Sequence, residues 1–277
     1  MAKKNKNEMS FLDHLEELRW LLIRSTIAIA VGGCVAYFFS DFIFNEIIFG
    51  PKDPNFVTYR FFCDLALKFG LDEGFCITEM PFDIQSRTMA GQFNAHIWTS
   101  ITAGFIVAFP FILWEFWKFI SPALYEKERK GARGFIITAS FLFFIGVLFG
   151  YFLITPLSVN FLGTYNISKV VHNDIDLDSY ISLVKTSTLA CGLVFELPIL
   201  IYFLTKLGLV TPEFLRKYRK ISFVIILIIA AIITPPDVVS QTIVTIPLVI
   251  LYEISIYISK WVINKQKKEE EKNEQPS

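Results

Sequence analysis

The sequence predicts an all-α integral membrane protein with six transmembrane helices, the last two short, and both termini in the cytoplasm. Three observations predict it. Of 277 residues, 53% are hydrophobic and 29 are Phe, and the mean hydropathy of +0.50 exceeds what a soluble globule can cover with polar surface. The apolar residues gather into runs near the ~20 residues that a helix needs to cross ~30 Å of hydrocarbon. Lys and Arg, finally, concentrate in alternate loops. The net charge is zero, from 26 basic and 26 acidic residues. That excludes the basic excess of a nucleic-acid binder, and the composition excludes a disordered chain or a disulfide scaffold.

Taken in order, Phe11, Leu15, Leu18 and Leu22 recur at helical spacing with Asp13, Glu16, Glu17 and Arg19 between them. This reads as an interfacial helix at the headgroups, leading into the first span. Acids precede the first apolar run where a cleaved signal peptide needs a basic segment, so no cleavage is expected. Acids beside anionic lipid are repelled, and this patch therefore calls for a cationic partner. The spans follow at 20–39, 90–114, 135–154 (ending at Thr155-Pro156) and 186–205.

The last two runs are separated only by Pro235, Pro236 and Asp237. They lie at 221–234 and at 238–258, whose uninterrupted apolar part is 238–252. At 1.5 Å per residue each apolar part covers roughly 21–23 Å. One reading is a buried hairpin that never crosses; the other is two short spans that thin the bilayer locally. Basic flanks at Arg216, Lys217, Arg219 and Lys220 and at Lys260, Lys265, Lys267 and Lys268 would anchor both ends of the short pair on one side. Residues 1–264 then form a single membrane domain, and 265–277 a charged tail whose composition predicts disorder.

Most of the Lys and Arg lie before the first span, after the second, after the fourth and in the tail. The positive-inside rule places those segments in the cytoplasm. Cys34 and Cys191 fall inside spans as packing residues. Cys63 and Cys76 share the long external loop 40–88, on an oxidising side if the membrane is a bacterial inner membrane, and are hypothesised to form a disulfide.

Several polar residues need a reason. The segment 116–129 sets aromatics beside Glu126, Lys127, Glu128 and Arg129. It is either an interfacial belt with mutually paired charges or a site where Glu126 or Glu128 meets an incoming guanidinium, whose fork matches a carboxylate. Glu196 lies mid-span, where a charged side chain costs about 2.5–3.5 kcal/mol. It must face protein or a hydrated concavity, and Pro198 can bend the helix beside it. His96 reads as a satisfied interfacial histidine. Metalloprotease, serine-hydrolase, phosphate-loop and Cys-x-x-Cys signatures are absent, and three scattered histidines make no metal site. Neither an enzyme nor a cofactor is expected.

The segments His14-Leu15-Glu16-Glu17-Leu18-Arg19, Phe116-Trp117 through Glu128-Arg129, Phe195-Glu196-Leu197-Pro198, and Thr234-Pro235-Pro236-Asp237 with Ser240-Gln241 resemble, in order, the TatC family. TatC is the multi-spanning core subunit of the twin-arginine protein translocase. The long external loop with Cys63 and Cys76 departs from the commoner, shorter form. The resemblance implies a concave six-helix receptor in the bacterial inner membrane. It would bind signal peptides carrying paired arginines, self-associate, and export folded proteins with the protonmotive force alongside small single-span subunits of TatA or TatB type. Glu17 and Glu128 match the acids that receive the arginines, with Arg19 and Glu126 beside them. Glu196 with Pro198 matches the family's intramembrane acid. Thr234, Gln241 and Asp237 match positions where a single-span partner docks. Two alternatives remain at this stage: a secondary transporter of a small solute coupled through Glu196, which would show internal repeats that the sequence lacks, and a membrane scaffold without a defined ligand.

Overall fold

The computed structural model describes residues 11–70, 76–77, 79–121, 132–168, 170–171, 173–235 and 238–274. Ten helices organise them: α1 (Phe11–Phe38), α2 (Val57–Lys68), α3 (Gly91–Ile120), α4 (Ala132–Phe149), α5 (Thr155–Thr164), α6 (Leu177–Phe195), α7 (Leu197–Lys206), α8 (Pro212–Lys217), α9 (Arg219–Ile233) and α10 (Val238–Glu274). Short helical turns at Ser40–Phe42, Ile43–Ile48 and Gly50–Lys52 follow α1. Two three-residue strands, β1 (Asp83–Gln85) and β2 (Asp174–Asp176), pair in parallel, with Asp83 opposite Asp174. Five helical stretches among the described residues are long and apolar enough to cross a membrane: His14–Phe38, Gly91–Ile120, Gly134–Thr164, Leu177–Lys206 and Ser240–Lys268. They fall on the first four predicted runs and the last. At 15 residues, α9 spans roughly 22 Å and sits on the predicted short fifth run.

Three boundaries differ from the sequence reading, each for a physical reason. The third stretch does not stop at Thr155-Pro156. A π-turn at Gly150–Ile154 absorbs the break, the Thr155 hydroxyl donates to the Gly150 carbonyl at 2.9 Å, and Pro156 falls in the first turn of α5, where no backbone donor is required. The fourth stretch begins earlier because the Asp176 carboxylate caps the Asp178 amide at 3.2 Å. The last helix runs on to Glu274, into the tail where composition points to disorder. Glu253, which would end an apolar span, pairs with Arg219 at 2.8 Å, and the Lys- and Glu-rich sequence beyond is made of good helix formers.

The chain divides into two compact units. The first comprises Met1–Phe49 and Ser86–Phe141, the second Gly50–Gln85 and Leu142–Ser277. In the first, α1 packs along α3 at a crossing of small residues. A Cβ added to Gly104 would overlap the Gly33 amide and come within 2.6 Å of the Ile29 carbonyl, and one on Gly32 would meet the Gly104 carbonyl at 3.0 Å. Close backbone approach substitutes here for the hydrophobic drive that lipid does not supply. His96 stacks on Tyr37 at 3.9 Å with a ring nitrogen 3.3 Å from the Tyr37 carbonyl, which is the satisfied histidine the sequence suggests.

The second unit packs the 142–149 part of α4 with α6, α7, α9 and α10 around Ile154, Cys191, Phe195, Ile226, Val244 and Leu248. Gly146 and Gly150 lie against the backbone of α6, where added Cβ atoms would stand 2.7 Å from the carbonyls of Cys191 and Ser187. Some polar groups inside this unit pair with one another: Thr205 donates to Ser259 at 2.8 Å, and Tyr252 to the Leu215 carbonyl at 2.8 Å. The external segment is tied down through Tyr59, whose buried hydroxyl lies 2.8 Å from the carbonyls of both Pro51 and Pro156. Burial, and then Tyr180, holds the Tyr59 phenol protonated well above its ordinary range. Cys63 and Cys76 are joined by a disulfide with their Cα atoms 4.6 Å apart.

Two outcomes are expected. Overpacking at Gly104 should cost roughly 1–3 kcal/mol or more, so Gly104→Val should lower the thermal midpoint of purified protein. Gly134→Ala, with nothing within 4 Å of the added Cβ, should leave it unchanged. Equal midpoints for the Gly104 variant and the parent would refute the close crossing. Alkylation and mass spectrometry under non-reducing conditions should find Cys63 and Cys76 protected, and two free thiols there would remove the bridge.

Candidate functional site

Where the first turns of α1 meet the last turn of α3, charge and aromatic surface come together. His14 stacks on Phe119 with ring centroids 4.3 Å apart, holding the two helix ends side by side. Next to this stack is a cavity of about 200 Å³ lined by Glu17, Trp20, Leu21, Arg24, Glu115, Lys118 and Phe119. Helical spacing explains the membership: Glu17, Leu21 and Arg24 follow one face of α1, and Glu115, Lys118 and Phe119 one face of α3.

The two carboxylates in this cavity are in different states. Glu115 is buried, its side chain 4% exposed, and is doubly paired: the Arg24 guanidinium is 3.2 Å from Oε2 and the Lys118 ammonium 2.6 Å from Oε1. Removing water from a carboxylate is costly unless cations replace it, and here two do. Glu17 is half-buried, and its Oε2 is shielded from solvent yet has no hydrogen-bond partner among the described residues. A buried acceptor left unmade is unfavourable. The atom is poised for an incoming donor, and a charged, forked donor gains most.

Other predicted residues fall as follows. Arg19 is exposed on α1. Glu126, Glu128 and Asp237 lie outside the described residues. Glu196 stands at the junction of α6 and α7, as the C-cap of one and the N-cap of the other, with φ −75° and ψ −4°. Its carbonyl still accepts from the Ile199 and Leu200 amides, at 3.0 and 2.9 Å. Pro198 sits buried in the first turn of α7, so its missing amide costs nothing. Glu196 Oε1 is buried with no partner among the described residues. Thr234 ends α9, its hydroxyl donating to the Ala230 carbonyl at 2.8 Å. Gln241, one turn into α10, points its amide toward the Leu227 carbonyl at 3.5 Å.

Sequence reasoning missed Glu115. Its signal was faint: it is the first acid after the 90–114 apolar run, with Lys118 one helical turn on. Its decisive partner, Arg24, is 91 residues away.

Comparison with known proteins decides the family. The family described as "Sec-independent protein translocase protein (TatC)" matches residues 13–247, which include Glu17, Glu115, Glu196, Thr234 and Gln241.

The chain belongs to the TatC family.

A TatC protein of Blattabacterium sp. subsp. Periplaneta americana is 47% identical over 265 residues, covering 95% of this chain and 100% of the relative. One from Aquifex aeolicus is 37% identical over 260 residues, covering 94% and 98%. A crystal structure of a twin-arginine translocase receptor, TatC, superposes with a TM-score of 0.68 at 35% identity, covering 90% of this chain and 99% of that one. The chain is thus a membrane-embedded component of a protein translocase and matches its relatives over nearly their whole length.

A mid-span acid whose Oε1 has no partner among the described residues has a direct test in such a TatC chain. In cells whose export depends on this chain, Glu196→Gln, which keeps a polar side chain of the same length, should retain partial transport. Glu196→Leu should abolish it at normal protein levels. Full transport with Leu would make the acid incidental.

Proposed function

We propose that this chain is the receptor of its translocase. It sits in a bacterial inner membrane with both termini cytoplasmic and takes the paired arginines of signal peptides at the α1–α3 end. The observation that carries this reading is Glu17 Oε2, buried, without a partner among the described residues, and bordering a cavity of about 200 Å³. A guanidinium satisfies that atom while its second edge remains free for a further carboxylate. Glu128, and Glu126 beside it, are the candidates for that role. A lysine ammonium lacks the flat fork and is a poorer substitute.

The remaining residues complete the assignment. Glu196, at the α6–α7 junction, polarises a hydrated pocket within the membrane. Thr234 and Gln241, at the end of α9 and the start of α10, and Asp237 between them, offer polar groups to a small single-span subunit of TatA or TatB type. An unpaired polar side chain in lipid would seek such a partner. Copies of the chain associate in the receptor complex, and transport of folded cargo draws on the protonmotive force. A solute transporter built around Glu196 finds no support in the family match.

The reading predicts that Glu17→Ala and Glu128→Ala each reduce photocrosslinking of a twin-arginine signal peptide by about tenfold or more, the scale of one lost charge-assisted pair. Protein levels should stay normal. Unchanged crosslinking in both variants would refute the assignment of these carboxylates.

A further inference from the structure

Glu17 has a neighbour whose role the receptor reading does not supply. Among the described residues, Glu115 is the one carboxylate or basic side chain that is fully buried, and it binds both cations that line the cavity. Arg24 lies two helical turns beyond Glu17 on the same face of α1. Lys118 lies on α3 across the same cavity. Both side chains are long and half-exposed, 51% for Arg24 and 52% for Lys118, so neither is locked in place by packing. Were Glu115 neutral, the carboxylate still lining the cavity with them would be Glu17.

We propose that Glu115 is a positioning residue that keeps the receptor carboxylate vacant: by holding Arg24 and Lys118 on itself, it prevents them from occupying Glu17 as internal substitutes for the peptide arginine. The inference rests on the reading of Glu17 as the arginine acceptor. The chain carries two cations of the same chemistry as its ligand within the ligand's own cavity. A buried carboxylate answers both, at 3.2 and 2.6 Å, and leaves Glu17 Oε2 as the open acceptor. Burial makes the device firm, because a carboxylate removed from water holds its cations strongly. Specificity then arises by sequestering a competitor as well as by attracting the ligand.

The test is binding of a fluorescent twin-arginine peptide to the full-length chain in detergent, with Glu17→Gln measured in parallel and thermal midpoints recorded for every variant. Glu115→Gln should weaken binding about tenfold, because Arg24 and Lys118 turn to Glu17. The triple variant Glu115→Gln, Arg24→Gln, Lys118→Gln should recover affinity to within about twofold of the parent, although the ion network is then gone altogether. A purely structural role would leave it as weak as the single variant or weaker. Arg24→Gln with Lys118→Gln should bind at least as tightly as the parent, which keeps the test informative if Glu115→Gln alone fails to fold. Parent-like binding by Glu115→Gln, or failure of the triple variant to recover, overturns the proposal while a weakened Glu17→Gln keeps the receptor reading intact. If Glu17→Gln itself binds like the parent, the receptor reading falls and this inference with it.

Discussion

Hydrocarbon offers neither donor nor acceptor, so every polar group carried into it must be answered from within the chain. That constraint accounts for the helices and also for the places where they are irregular. Where a helix breaks at Gly150–Ile154, the Thr155 hydroxyl reaches back to the Gly150 carbonyl. Where it breaks at Glu196, the amides of Ile199 and Leu200 close on the Glu196 carbonyl. Ser100, Thr138, Thr234, Thr245 and Ser255 each return a hydroxyl to the carbonyl one turn behind. Against these closed backbone groups, Glu17 Oε2 and Glu196 Oε1 stand buried with no partner among the described residues.

Packing follows from the same solvent. Lipid tails are as apolar as leucine, so helices gain little from burying leucine against leucine and associate through close contact instead. Gly32, Gly33 and Gly104 bring α1 onto α3, and Gly146 and Gly150 bring α4 and the π-turn onto α6. The first of these contacts bears directly on function. It sets the two helices side by side, and the His14–Phe119 stack closes their ends, so that Glu17 and Glu115 share one cavity. The glycines thus help shape the proposed receptor site although none lines it.

Legibility in the sequence tracked locality. Apolar runs marked the first four spans because length and hydropathy are properties of a segment alone, and the short fifth run fell on α9 for the same reason. Glu17 and Glu196 stood out as acids in surroundings that penalise acids. The continuation past Thr155-Pro156 was hidden because it depends on a π-turn lodged against Ser187 and Cys191, more than a span away in sequence. The extension of α10 into the tail was hidden because a charged, apolar-poor composition points to disorder, although its Lys and Glu are also good helix formers. Glu115 was hidden most thoroughly: to a linear reading it ends an apolar run, and only the fold reveals that it holds Arg24 and Lys118. Motif order made the family recognisable, and the match over residues 13–247 established it.

Recognition at the proposed site depends on one physical distinction: a carboxylate beside the α1–α3 cavity gains more from a forked guanidinium than from an ammonium. The most direct measurement is the ratio of dissociation constants for a twin-arginine signal peptide and its twin-lysine counterpart on the full-length chain, taken at one fixed ionic strength. The arginine peptide should bind about tenfold tighter or more. Equal affinities for the two peptides would contradict it.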